Sequence, residues 1–120
     1  MAIKSKKEAA ALNIVDQALD VILTITIGNA QIGGSVVYFK DAAGNIIGKG
    51  DISKLSIGSG NQLKGHVLSI DTNILDSNPS SLGVVANYYF TNCTPPSTMF
   101  HDSLDNPGDI FNYHIEFSFL

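Results

Sequence analysis

The alternation of apolar and polar positions is clearest in residues 110–120. Apolar side chains occupy every second position there, and polar side chains occupy the positions between them, which is the periodicity of a strand with one buried face. The apolar set is Phe111, Tyr113, Ile115, Phe117 and Phe119, and the polar set is Asn112, His114, Glu116 and Ser118. We therefore predict a long final strand over Ile110–Leu120, with its aromatic face in the core and its polar face in solvent.

Further strand patterns recur upstream and are separated by Gly, Asn, Asp and Pro residues that are typical of turns. The density of β-branched residues is highest in Asp20–Ile27, which favours a strand strongly. The other predicted strands are Ser35–Lys40, Asn45–Gly50, Leu63–Ile74 and Gly83–Thr91. The Ser- and Gly-rich residues 51–61 are compatible with either a loop or a weak edge strand.

Two of these strands carry more specific predictions. His66 has the same parity as Leu68 and Ile70, so we expect a hydrogen-bonded histidine near the core. Gly83–Thr91 is apolar at both parities, which predicts a central strand covered on both faces.

The N-terminal residues allow two interpretations. Ser5 to Glu8 has the form of a helix capping box, and apolar residues follow at helical spacing, which predicts a short helix over about residues 6–17. The alternative is an extended arm, within about residues 1–17, that runs directly into the first strand.

Together these elements predict a single, mostly all-β domain over residues 1–120. Short strands at near-regular spacing favour an antiparallel β-sandwich of the Ig-like or Greek-key type. A small β-barrel is the alternative architecture.

Composition narrows the classes of partner. The chain has 120 residues, 44% hydrophobic and 15% charged, and a formal net charge of −4, so we expect an acidic, soluble, folded protein. All seven basic residues are lysines at or before Lys64, and arginine is absent. Because nucleic-acid binding needs a basic stripe, usually with arginine, we expect no nucleic-acid partner and no affinity for an anionic membrane.

The single Cys93 excludes an internal disulfide. No apolar run reaches the length of a membrane span, and Asp16 and Asp20 interrupt the first apolar stretch, which argues against a cleaved signal peptide. We therefore expect a cytoplasmic protein, while secretion that needs no signal stays open.

The connection from Asn92 to Asp109 is the segment that most suggests a function. It is longer than most loops in compact domains, and such loops often bind ligands. The simpler interpretation, which we prefer, is a proline-stiffened excursion that plugs the end of the sandwich. The candidate ligand-binding residues are Phe100, His101, Asp102, Asp105, Asn106 and Asp109.

More specific chemistry finds little support in the sequence. The acidic residues of this segment would suit Ca²⁺, but Leu104 stands where an EF-hand needs a ligand, so we predict neither a metal site nor a cofactor. Cys93 could act with His101 or His114 as a nucleophile and base, yet no catalytic signature surrounds it. The triplet that begins at Asn92 matches a glycosylation sequon, and we interpret the match as a coincidence.

Three classes of function remain, ordered largely by elimination. The first is a non-catalytic protein-interaction or structural assembly module with a protein partner or self-association. The second is a ligand-binding sandwich, for carbohydrate or Ca²⁺, that uses residues 92–109. The third is a small enzyme that depends on Cys93 and a histidine. The first is our prediction, and it makes the protein a non-enzyme.

Overall fold

The computed structural model describes residues 2–120, and two β-sheets pack face to face within them. A short helix and a 3-10 turn at Lys40–Ala42 accompany the strands. The elements are β1 (Ile3–Ile14), β2 (Asp20–Ile27), β3 (Ile32–Phe39), β4 (Ile46–Gly50), β5 (Leu55–Ser59), α1 (Gly60–Leu63), β6 (Val67–Leu75), β7 (Gly83–Phe90), β8 (Cys93–Thr94), β9 (Ser97–Ser103) and β10 (Ile110–Phe119). In this part of the chain, no helix has the length and apolarity needed to cross a membrane.

The strand order confirms the predicted β-sandwich. The larger sheet has the order β4-β3-β6-β10-β1-β8, and the smaller sheet has the order β5-β2-β7-β9. The sheets do not close into a barrel over the described residues. Strands β1 and β10 pair in parallel, whereas the other pairings within residues 2–120 are antiparallel.

The core confirms the alternation predicted for the final strand. The five apolar side chains of the predicted alternation, from Phe111 to Phe119, are all at most 1% exposed. Phe117 is central to them, with its ring centroid 4.8 Å from that of Phe90 and 5.4 Å from that of Tyr88 on the opposite sheet. The β10 aromatic residues therefore join the two layers.

The predicted helix over residues 6–17 is wrong, because Ile3–Ile14 is a strand. Ala10 and Leu12 lie beside Phe117 and Phe119 of β10, so the segment extends the larger sheet by one strand. Val15, which a docked helix would bury, is 67% exposed. The hydrogen bonds offered by the edge of β10 outweigh the modest helix propensity of the alanine run.

The capping box is found at α1 and not at Ser5. The Ser59 side chain accepts a hydrogen bond from the Gln62 backbone N–H at 3.2 Å, and the Gln62 side chain accepts one from the Ser59 N–H at 2.9 Å. The residues before α1 form β5, an edge strand of the smaller sheet, so residues 51–61 contain the weak edge strand and are not only a loop.

Two further predictions need correction. His66 is exposed in the turn before β6, and its Nδ1 lies 3.7 Å from Asp41 Oδ2, so it is not a core residue. Strand β7 is central in its sheet, but Tyr89 on its outer face is 44% exposed. In a two-layer sandwich each sheet has one covered face, so an apolar outer face stays in contact with solvent.

A buried chain of hydroxyl groups links the two sheets. Ser35 Oγ lies 2.8 Å from Thr72 Oγ1, which lies 2.7 Å from the Tyr88 hydroxyl. Burial raises the pKa of the Tyr88 hydroxyl, so the group stays neutral. Because Tyr88 lies in the smaller sheet and the other two in the larger, the chain fixes the alignment of the sheets.

We expect Tyr88→Phe to lower the free energy of unfolding by about 1–2 kcal/mol. The substitution removes one hydrogen bond, but Ser35 and Thr72 still satisfy each other. Chemical denaturation followed by circular dichroism measures the difference. An unchanged midpoint would show that the Tyr88 hydroxyl contributes nothing to sheet alignment.

Candidate functional site

Residues 92–109 are not a loop throughout, since they contain β8 and the seven-residue strand β9. Thr98, Phe100 and Asp102 point inward along β9, and the residues between them are exposed. The alternation is hard to recognise in the sequence because two of the three inward residues are polar. Phe100 is partly buried and packs against the core, with its ring centroid 6.0 Å from those of both Tyr88 and Tyr113.

The acidic residues of this segment have separate structural partners. Asp102 Oδ2 accepts a hydrogen bond from the Tyr113 hydroxyl at 2.7 Å, and its Oδ1 lies 3.4 Å from Lys6 Nζ. Buried Asp109 accepts a hydrogen bond from the backbone N–H of Ala2 at 2.9 Å. These two carboxylates anchor β1, so sequence reasoning located important residues and assigned them a different role.

The other three predicted residues do not join them at one point. Asp105 is exposed and lies 3.6 Å from Lys4 Nζ, while Asn106 accepts a backbone hydrogen bond from Asp109 in the turn before β10. His101 is on the exposed face of β9. Over residues 2–120, no three or more His, Cys, Asp or Glu side chains form a group able to hold a metal ion.

Cys93 is buried, and burial raises the pKa of its thiol to about 11. A thiol with that pKa is protonated at neutral pH, whereas a nucleophilic cysteine needs the thiolate. The chemistry of this site gives no support to the Cys-dependent enzyme.

Asn92, next to Cys93, has a structural role. Its φ is 60°, and its amide donates hydrogen bonds to the backbone oxygens of Asp16 and Leu19 at 2.7 and 3.0 Å. Both hydrogens of the Asn92 side-chain amide therefore make hydrogen bonds within the fold. Attachment of a glycan to that nitrogen would replace one of these hydrogens.

A hydrogen-bonded cluster that sequence reasoning missed lies on the outer face of the larger sheet. His114 Nδ1 is 2.6 Å from Asp71 Oδ1, and Asp71 Oδ2 accepts a hydrogen bond from the Tyr38 hydroxyl at 2.9 Å. His114 Nε2 lies 3.7 Å from Glu116, whose other oxygen is 3.1 Å from Lys40 Nζ. The Lys40 hydrogen bond lowers the pKa of Glu116. The cluster aligns an imidazole, but no Ser, Thr or Cys side chain is among its members to act as a nucleophile.

The outer edge of β1, from Ile3 to Ala11, is the longest stretch of strand edge left without a partner strand in residues 2–120. On one side β1 pairs with β10 from Ile3 to Leu12, and on the other it pairs with β8 at Asn13 and Ile14 only. The carbonyls of Ala2 and Leu12 accept hydrogen bonds from the backbone N–H groups of Ile110 and Leu120 at 2.9 and 2.8 Å. The backbone N–H and C=O groups of the even-numbered β1 residues therefore face β10.

Because backbone groups on a strand alternate in direction, those of the odd-numbered residues face away from β10. These residues are Ile3, Ser5, Lys7, Ala9 and Ala11. Within residues 2–120, the N–H and C=O groups of these residues form a continuous row of hydrogen-bonding groups that no neighbouring strand pairs with. Such a row is a template for another strand.

Charged side chains line the space beneath this edge. Even-numbered side chains of β1 share the face of the buried β10 residues, so Lys4, Lys6 and Glu8 point toward the gap between the sheets. Lys6 Nζ lies 3.4 Å from Asp102 and 3.5 Å from Glu8, and the Asp102 carboxylate raises the pKa of Lys6. Inward-pointing charges on an edge strand discourage unselective strand pairing.

A shallow cleft is a separate feature beside the 3-10 turn. It has a volume of about 340 Å³, and Phe39, Ile57 and Leu63 contribute apolar walls. His66 and Asp41 lie at its polar side.

We compared the chain with known proteins to identify relatives of this arrangement. Neither a protein-family model, nor a curated protein sequence, nor a solved structure matches the chain.

Proposed function

We propose that this protein is a non-catalytic interaction module that binds an extended protein segment by strand addition along β1. The supporting observation is the row of outward backbone groups from Ile3 to Ala11, which β8 leaves uncovered. Strand addition gains affinity from main-chain hydrogen bonds and selectivity from alternate side chains. Lys6 and Glu8 supply that selectivity here.

The alternative use of residues 92–109 for carbohydrate or Ca²⁺ binding has less support. Asp102 and Asp109 each hold a hydrogen bond that anchors the fold, and Phe100 packs against the core. A ligand that recruited these side chains would have to break those contacts.

Proline substitution at Ala9 tests the proposal. Ala9 has an outward N–H, so proline removes one donor from the free edge without breaking the pairing with β10. Ala9→Ser is the matched control because it retains that donor. The probe is a set of peptides selected from a random-sequence library against the wild-type protein, immobilised sparsely so that two copies do not meet.

We expect the selected peptides to bind the wild type and Ala9→Ser equally and to bind Ala9→Pro at least tenfold more weakly. Lys7 also has an outward N–H, so Lys7→Pro should weaken peptide binding as Ala9→Pro does. Agreement between the two variants would show that the loss of binding does not come from a folding defect peculiar to Ala9→Pro. Selection of no peptides, or equal binding to Ala9→Pro, would contradict strand addition at β1.

The neighbouring position gives a prediction about stability. Ala10 has an N–H that faces β10, so Ala10→Pro removes a ladder hydrogen bond and should lower the free energy of unfolding by about 1–3 kcal/mol. Ala9→Pro should change it by much less. Thermal denaturation of the two variants side by side measures the contrast, and equal losses would show that the assigned backbone directions are wrong.

A further inference from the structure

The uncovered part of the β1 edge has a defined centre. It extends from Ile3, where the strand begins, to Ala11, the last outward-facing residue before β8 pairs at Asn13. Lys7 is the midpoint of this stretch. A strand added symmetrically about Lys7 would use every outward residue and stop before β8.

The charges near this midpoint are self-complementary. Lys6 and Glu8 flank Lys7 at equal separations, and both side chains lie on the inward side of β1. If a second β1 runs antiparallel with Lys7 opposite Lys7, each Lys6 lies directly opposite a Glu8 of the other copy. Opposite charges at facing positions stabilise an antiparallel pair.

We infer that the partner of this edge is a second copy of this chain, paired β1 to β1 about a two-fold axis at Lys7. This inference rests on the proposed strand addition and names its partner. Five facing pairs of outward residues would exchange about ten backbone hydrogen bonds. The two larger sheets would then form one continuous sheet, as expected for a symmetric dimer whose two copies use the same surface.

Neighbouring registers fit less well. Centring the pair on Lys6 places two lysines opposite each other on the inward side, and centring it on Glu8 places two glutamates there. The register at Lys7 also has a like-charged pair, but Lys7 is exposed on the outer face, where water screens the repulsion. Each of the remaining facing pairs includes an alanine: Ser5 lies opposite Ala9, Lys4 opposite Ala10 and Ile3 opposite Ala11.

Charge reversal with mixing tests both the dimer and its register. Lys6→Glu and Glu8→Lys each place like charges opposite one another in a homodimer, so each variant should be monomeric. A one-to-one mixture restores two opposite-charge pairs and should form a heterodimer. Light scattering coupled to size-exclusion chromatography, from micromolar to millimolar protein, gives the masses, and circular dichroism checks that both variants are folded.

A cysteine pair tests the register independently of charge. Lys7→Cys places two thiols at facing positions on the axis, about 5.5 Å apart between Cα atoms, within reach of a disulfide. In Ser5→Cys the two thiols are offset by four residues, about 14 Å, which is too far. Since Cys93 is buried, it should not compete for oxidation.

We expect Lys7→Cys to form a disulfide-linked dimer under mild oxidation and Ser5→Cys to form no intermolecular disulfide, as seen on a non-reducing gel. A wild type that stays monomeric at every concentration would overturn the dimer. Dimers of either charge variant alone, a monomeric mixture, or cross-linking of Ser5→Cys but not Lys7→Cys would overturn the register. If the wild type is monomeric but the Ala9 variants still show that peptides bind the β1 edge, the inferred dimer is wrong and the proposed strand addition at β1 is retained.

Discussion

Replacing Phe117 with alanine should lower the free energy of unfolding by about 3–5 kcal/mol, because the substitution removes a fully buried aromatic ring. Phe117 is 0% exposed and contacts Phe90 and Tyr88 across the sandwich. The cavity would lie between the two sheets, where rigid strands limit collapse. Chemical denaturation of the wild type and variant measures the difference.

Ser118→Ala is the matched control for this experiment. Ser118 is the next residue of β10 and lies on the half-buried outer face. We expect a change below about 0.5 kcal/mol for it, as for most surface substitutions. Soluble Phe117→Ala protein with an unchanged midpoint would contradict the assigned core.

Replacing Gln31 with leucine should have the second-largest effect, a loss of about 2–4 kcal/mol from several broken hydrogen bonds. The buried Gln31 amide donates to Asp76 at 3.0 Å and to the Gly83 carbonyl at 3.0 Å, and its oxygen accepts from the Ser77 and Asn78 N–H groups at 2.7 and 2.9 Å. Leucine has a similar size but makes none of these bonds. The 76–83 connection would lose its Gln31 contacts with the turn between β2 and β3 and would keep the hydrogen bonds of Ser77 to Ala30 and of Asn78 to Asn29.

Gln17→Leu provides the comparison, since Gln17 is exposed in the turn between β1 and β2. Thermal denaturation should show a large fall in the melting temperature for Gln31→Leu and little change for Gln17→Leu. Equal effects would mean that hydrogen bonding by Gln31 is unimportant for stability.

The sequence predicted those strands whose pattern is local and strict. Strand β10 was predictable because its apolar residues alternate with polar ones over nine positions, and β2 because of its β-branched residues. Strand β1 was not, since Ala-rich residues suit a helix in isolation. Its extended form depends on pairing with β10, which lies about a hundred residues away in the chain.

The candidate site was less predictable than the fold for a related reason. The contact of His114 with Asp71 and that of Lys6 with Asp102 both depend on which strands are neighbours and in which register. One residue of slip would reverse the face of every side chain. The acidic residues at 102 and 109 were recognised as important, but only the position of β1 beside β10 shows that they anchor that strand.

Amide hydrogen exchange along β1, measured by NMR with and without a selected peptide at saturation, tests the central claim most directly. The free protein should be measured dilute, where copies do not meet. We predict rapid exchange for Ser5, Lys7, Ala9 and Ala11 in the free protein and strong protection of the same four amides when the peptide binds, because each gains a backbone acceptor. Protection that develops elsewhere, with these four amides unchanged, would contradict the assignment of the β1 edge as the binding surface.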